Sequence, residues 1–359
     1  MGKQVKTPRF YVDMVTFLHA TGQLGWDSTS KGGAELLYMN CANPFLKLEE
    51  SDDPQVMFIL GSTDNNPIKS SFPINFCALL NHNLGSDSND FSIIGKGGYA
   101  DDLEIDLTES TTNVMNYYPN PYFNGTSIFT FSDENGINDY FNYFGLSYLA
   151  NEFDDDINYT HQLGSFVVGK YFDCPNSPDL NLTMSRRFDG IKKQKTIGGK
   201  TLANIYYDGP TEWTMNDRYK GSYKYPPFEL HYPDDSTEEE DGQFRPKSGL
   251  GRKGLRSWKL TFSYITESDM WIDNEVSNIF ITGGSAAPGN NDNSMLSDNS
   301  FNFVWNCTLG GTLPFIFTDD KDSNEPDRYA ICTFRENTFN VDQVAPGTYT
   351  VQVTIDELA

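Results

Sequence analysis

The stretch SWKLTFSYI, Ser257–Ile265, decides the fold class. Apolar and polar residues alternate along it, which puts Trp258, Leu260, Phe262 and Tyr264 on one face of a half-buried strand. The segment TYTVQVTID, Thr348–Asp356, repeats the pattern and places Tyr349, Val351, Val353 and Ile355 on one side. Side chains alternate across a strand with a period of two, so both stretches fit a sheet and not a helix. Around them, Pro314–Thr318, Tyr329–Phe334 and Asn337–Val344 read as further strands. Asn299–Leu309 (NSFNFVWNCTL) predicts one short amphipathic helix, stopped by Gly310-Gly311.

Working outward, the first half reads as a succession of strands: Arg9–His19 (RFYVDMVTFLH), Glu35–Met39, Gln55–Leu60, Asn75–Leu80, Phe91–Ile94, Ser127–Phe131 and Leu163–Phe172. Each is short, rich in β-branched or aromatic residues and bounded by Gly, Pro, Asn or Asp. No helical period separates them, so the expected class is mainly β, with two antiparallel β-sandwich domains spanning 1–175 and 176–359. Composition agrees, with 26 Phe, 20 Tyr, 30 Gly and 18 Pro.

The second unit opens on DGIKKQKTIGGKTLANI (Asp189–Ile205), which predicts a hairpin turning near Gly198-Gly199. An irregular charged insertion follows at 226–256. It holds an acidic run, Asp234–Asp241, and most of a basic run, Arg245–Lys259. Such runs are usually solvated loops; the sharper alternative is an arm that pairs with a neighbouring subunit. Asn274–Ile281 fits a helix or a strand, and Thr282–Ser297 has the composition of a flexible insertion.

A net charge of −24 and a pI near 4.4 argue against a nucleic-acid partner, because such a surface repels phosphate backbones. The five cysteines are scattered without zinc-ligand spacing, and those in apolar stretches act as small hydrophobes. No run of 18 apolar residues occurs, so no membrane span is expected, and the first fifteen residues lack the apolar core of a secretion signal.

No catalytic motif is assigned. Gly95-Lys96-Gly97-Gly98 and Gly198-Gly199-Lys200-Thr201 lack the full phosphate-loop spacing and read as turns. His82, after an apolar strand, is the best single candidate for a functional imidazole, but a histidine satisfied by backbone hydrogen bonds outweighs it. Asp133-Glu134-Asn135-Gly136 and Asp154-Asp155-Asp156 offer oxygen ligands for calcium without the EF-hand spacing. No cofactor is expected, and the chain is expected not to be an enzyme.

Several phrases together resemble virion structural proteins of tailed phages, marine ones above all, described as tail or minor tail proteins. In the first half these are Asn75–Leu84 (NFCALLNHNL) and Gly164–Pro175 (GSFVVGKYFDCP). In the second they are Arg256–Tyr264 (RSWKLTFSY), Trp305–Phe317 (WNCTLGGTLPFIF) and Arg328–Leu358, ending in QVAPGTYTVQVTIDEL. The resemblance implies a jelly-roll first domain similar to galactose-binding modules, and a ring-forming tail or baseplate second domain of β-sandwich plus one helix. It implies a protein of the virion tail, made in the host bacterial cytoplasm, that assembles with itself, as a hexamer, and with other tail or baseplate proteins. The segments 226–256 and 285–299 lie outside the resemblance.

On that reading Trp258, Trp305 and Phe315 belong to the core, whereas Trp213, Trp271, Arg245, Arg252, Lys253 and the 226–250 loop are interface candidates. A carbohydrate-binding role in host recognition is the alternative, with Tyr117, Tyr118, Tyr122 and Phe123 as glycan contacts. Glycan hydrolysis is the third.

Overall fold

Arg9–Asp13, RFYVD, is buried along its whole length and has a strand hydrogen-bonded on each side. In the computed structural model the described residues are 4–22, 24–26, 39, 46–48, 51–60, 75–82, 89–96, 103–106, 112–117, 125–130, 143–150, 161–187, 191–205, 254–272 and 299–358. In chain order the elements are β1 (Arg9–Asp13), α1 (Met14–Ala20), β2 (Leu24–Trp26), β3 (Leu46–Leu48), β4 (Ser51–Leu60), β5 (Phe76–His82) and β6 (Asn89–Lys96). Then come β7 (Leu103–Asp106), β8 (Thr112–Tyr117), β9 (Gly125–Thr130), β10 (Tyr143–Ala150), β11 (His161–Leu163), β12 (Ser165–Asp173) and β13 (Thr183–Arg187). The rest are β14 (Ile191–Lys195), β15 (Thr201–Ile205), β16 (Leu255–Thr266), α2 (Glu267–Met270), α3 (Phe301–Cys307), β17 (Phe315–Thr318), β18 (Tyr329–Phe334), β19 (Val341–Ala345) and β20 (Thr348–Glu357).

The chain is mainly β, built from large antiparallel sheets as the sandwich class requires. The largest sheet has eleven strands in the order β13-β16-β20-β18-β17-β1-β12-β5-β9-β8, with β19 added on β20. A second sheet runs β2-β4-β10-β6-β7, and β11–β3 and β14–β15 form two-stranded pairs. The expected boundary near Pro175 falls just after β12, and the large sheet continues across it. Phe10 of β1 lies opposite Phe172 on β12 and opposite Phe317 on β17, so the two halves of the sequence are joined through β1.

Alternation along these strands sends side chains to two apolar layers, one on each face. Phe10 and Val12 enter the larger layer, together with Phe166, Val168, Trp258 and Phe317, while Tyr11 enters the smaller one with Phe76, Val167 and Ile316. The helices supply the cover of the larger layer, through Met14, Phe17, Phe301 and Val304 among others. The Phe10 ring sits among five others, 5.3 Å from Phe317, 5.5 Å from Phe315 and 6.1 Å from Phe301. Tilted and edge-on packing of this kind suits the ring quadrupoles and fills the layer densely.

Two departures from the sequence reading have clear causes. Arg9–His19 is not one strand: it breaks after Asp13, whose carboxylate accepts the Thr16 N–H at 3.0 Å and caps α1. The chain can make that turn because Gly169 lies opposite, where a Cβ would stand 2.0 Å from the Val12 carbonyl oxygen. Tyr264 does not share the buried face of Trp258, Leu260 and Phe262. A bulge between Phe262 and Ile265 adds a residue, Tyr264 takes φ +60° and is 77% exposed, and Ile265 fills the core position instead.

The predicted C-terminal helix is present as α3. Ser300 caps it by accepting the Phe303 N–H at 3.2 Å, and Gly310 and Gly311 follow it at positive φ. It is one of three short helices among the described residues, where a single one was expected. The basic run Arg245–Lys259 is not loop throughout either. Its last five residues begin β16, and Arg256 is buried. The strand expected at Glu35–Met39, apart from Met39, the segments Asp234–Asp241, Asn274–Ile281 and Thr282–Ser297, and both calcium candidates lie outside the described residues.

Candidate assembly interface

The large sheet ends at β13, Thr183–Arg187, and all five residues of this strand are exposed. Residues 179–187 run along the outer side of β16. The Asp179 N–H donates to the Thr261 carbonyl at 2.8 Å, the Ser263 hydroxyl donates to the Asp179 carboxylate at 2.7 Å, and Thr183 to Arg187 pair with Lys259 to Leu255. Among the described residues no strand lies beyond β13. An edge of this kind presents backbone donors and acceptors that another strand can pair with. Leu180, Met184 and Tyr264 put apolar surface on the same strip. Arg186 and Arg187 add charge, a device that restricts an open edge to complementary partners.

Three residues further along the chain, β14 and β15 form the predicted hairpin. Lys193 pairs with Ala203 and Lys195 with Thr201. The turn is closed by the Thr196 N–H to the Lys200 carbonyl at 2.8 Å and by the Lys200 N–H to the Thr196 hydroxyl at 3.1 Å. Gly199 takes φ +80°, with open space around it. Every residue from Lys193 to Ala203 is exposed; Ile197 stands fully in solvent at the tip and Leu202 is 58% exposed.

Elsewhere, buried charge holds the fold together. Arg9 pairs with Asp173 and lies 4.0 Å over the Tyr171 ring, and Lys321 reaches the same carboxylate at 3.5 Å. Arg328 contacts Asp319 at 3.0 Å and Asp320 at 3.5 Å, and Lys6 contacts Asp320 at 2.9 Å. Burial pushes the Asp319 carboxyl up, against the pull of Arg328. These pairs tie residues 6–9 to β12 and to the 319–328 segment. Cys77, Cys174, Cys307 and Cys332 are buried and not disulfide-bonded, and burial raises Cys77, Cys174 and Cys307 away from the reactive thiolate form. Among the described residues no group of three or more His, Cys, Asp or Glu could hold a metal ion, and no helix is long and apolar enough to cross a membrane.

Of the residues singled out from sequence, Trp258 and Phe315 are fully buried, and Trp305 is half-buried, stacked 5.1 Å from Phe339. Trp271 is half-buried against its own chain, with ring centroids 6.0 Å from Tyr349 and 6.3 Å from Phe339. Trp213, Arg245, Arg252, Lys253, Tyr118, Tyr122 and Phe123 lie outside the described residues, as do the side chains of Tyr117 and His82. Of the expected interface set, Trp271 alone is among the described residues. The β13 edge was missed because TMSRR carries almost no apolar pattern. Comparisons with protein-family models, with curated proteins and with solved structures found no match to this chain.

Proposed function

We propose that this chain is a non-catalytic structural component of a tailed-phage virion, a tail or baseplate ring or adaptor protein that acts by assembling with copies of itself and with other tail proteins. The observation that carries the assembly reading is the edge of the eleven-stranded sheet at β13, which among the described residues has no strand beyond it and is exposed on both faces, with apolar surface from its own Met184 and from Leu180 and Tyr264. Pairing at a sheet edge satisfies backbone groups on both partners at once and needs no reactive centre. Between copies it builds closed rings when successive rotations return to the start. The virion part rests on the resemblance of RSWKLTFSY, WNCTLGGTLPFIF and QVAPGTYTVQVTIDEL to tail proteins, which also implies sixfold symmetry.

Two measurements test it. Electron microscopy of the purified chain at high concentration is expected to show rings, and mass spectrometry of purified phage particles is expected to find the chain, with its density in the tail. A chain that stays single, is absent from particles and releases reducing sugar from host envelope material overturns the proposal. Monomers that bind host polysaccharide, and lose it in a Tyr117→Ala/Tyr118→Ala variant, transfer the role to host recognition.

A further inference from the structure

We infer that the β14–β15 hairpin is a docking arm that engages an acidic surface on a second copy of this chain. The inference rests on the assembly reading only in taking copies of the chain to meet. It needs neither a virion nor a particular symmetry.

The hairpin region is basic in an acidic chain. Residues 183–205 carry six of the chain's 26 Lys and Arg (Arg186, Arg187, Lys192, Lys193, Lys195, Lys200) and one of its 50 Asp and Glu, Asp189. The remaining 336 residues therefore hold 20 cations against 49 carboxylates. Two copies each bearing −24 repel one another, and like-charged surfaces do not associate unless a complementary patch lies at the contact. This segment is such a patch, and the surface complementary to it is the acidic remainder of another copy.

The hairpin from Lys193 to Ala203 is also exposed. A two-stranded hairpin alone in water is marginal, since it has no apolar face to bury. The described part of this one is exposed on both faces, yet its turn is closed by paired backbone and hydroxyl hydrogen bonds, and its tip carries Ile197 entirely in solvent. A preorganised arm loses little conformational entropy on docking, so a tip isoleucine and Leu202 can insert while the lysines meet carboxylates around them. Lys193 and Lys195 share one face with the small residues Thr201 and Ala203, which leaves both ammonium groups unobstructed by cross-strand neighbours. Nucleic acid would also suit the lysines, but not a chain whose net charge is −24.

The test uses the full chain and a K193E/K195E/K200E variant. All three side chains are exposed, and equal thermal midpoints for the two proteins confirm an intact fold; a K193Q/K195Q/K200Q variant serves if charge reversal disturbs it. Sedimentation is expected to show self-association by the parent chain, weakened at least about tenfold in the variant. Zero-length cross-linking of mixed light and heavy isotope-labelled chains is expected to join these lysines to Asp or Glu of the other isotope. A monomeric parent, unchanged association in the variant, or cross-links confined to one chain overturns the inference. Oligonucleotide binding by the parent that the variant loses also overturns it, in favour of a nucleic-acid arm. Absence from phage particles with the cross-links intact would sink the virion proposal and leave the arm standing.

Discussion

The guanidinium of Arg256, at the start of β16, is paired at 3.0 Å with the fully buried carboxylate of Glu357, at the end of β20. The same Glu357 side chain accepts the Arg256 backbone N–H at 2.8 Å. The guanidinium also donates to the Asp327 and Tyr329 carbonyls, each at 2.6 Å, and lies 4.8 Å over the Trp258 ring. Four segments therefore meet on one ion pair. Glu357→Ala leaves the arginine buried with its charge uncompensated and is expected to lower stability by about 3–5 kcal/mol, read by denaturant unfolding. A double replacement, Arg256→Met with Glu357→Leu, is expected to be much milder. Equal losses in the two variants would mean that the pair's packing, and not its charge balance, holds these strands.

Gly169 lies opposite Asp13 where β12 meets the start of α1. A methyl group there collides with the Val12 carbonyl and approaches the Met14 backbone nitrogen to 2.9 Å, neither of which can move without displacing β1. Gly169→Ala is expected to destabilise by about 3 kcal/mol or more, the upper range for overpacking. A thermal midpoint within a degree of the parent would show that β1 shifts freely.

Asp13 is buried without a cation among its influences, and burial raises its carboxyl from 3.8 to about 6, against the hydrogen bonds from Thr16 and Val15 that hold it down. Because the folded value lies above the unfolded one, the folded state binds the proton more tightly. This residue's contribution is therefore most favourable below about pH 4 and is lost as pH rises from about 4 to 6. Asp13→Asn retains a side-chain acceptor for the Thr16 N–H and removes the ionisation. Its stability relative to the parent is expected to rise across that window, by up to about 3 kcal/mol at pH 7. A parent-minus-variant difference flat between pH 4 and 7 contradicts this.

Tyr264 occupies a left-handed backbone conformation that costs a residue with a Cβ about 1–2 kcal/mol, and its ring recovers little by burial. Tyr264→Gly is expected to raise the unfolding free energy of the isolated chain by up to about 1 kcal/mol. If the ring lies in a subunit contact, the same variant weakens self-association, so sedimentation and thermal unfolding should move in opposite directions.

Which parts of this architecture were legible follows from how each segment is buried. SWKLTFSYI as far as Phe262, and TYTVQVTID, read as strands because an apolar residue recurs at every second position, and Tyr329–Phe334 matches β18 end to end. The α3 helix was visible through Gly310-Gly311. RFYVDMVTFLH concealed a strand-to-helix break because both elements are buried, so no polar period marks the change; the Asp13 cap, three residues before Thr16, was the available signal. β13 was hidden for the opposite reason, since TMSRR is exposed throughout. The hairpin at Asp189–Ile205 was read as a hairpin, but its charge stands out only against the acidity of everything else. Choosing interface residues by aromatic type led to Trp271, which the chain packs against its own Tyr349 and Phe339.

The position of β1 has a consequence for biosynthesis. A ribosome makes this strand about 300 residues before β17, its neighbour on one side. Until then Phe10 has no ring from Phe315 or Phe317 to lie against, and one flank of the nascent sheet stays unzipped. Polypeptides released before β17 is complete should be the aggregation-prone ones, and the sheet cannot close around β1 until β17 has emerged.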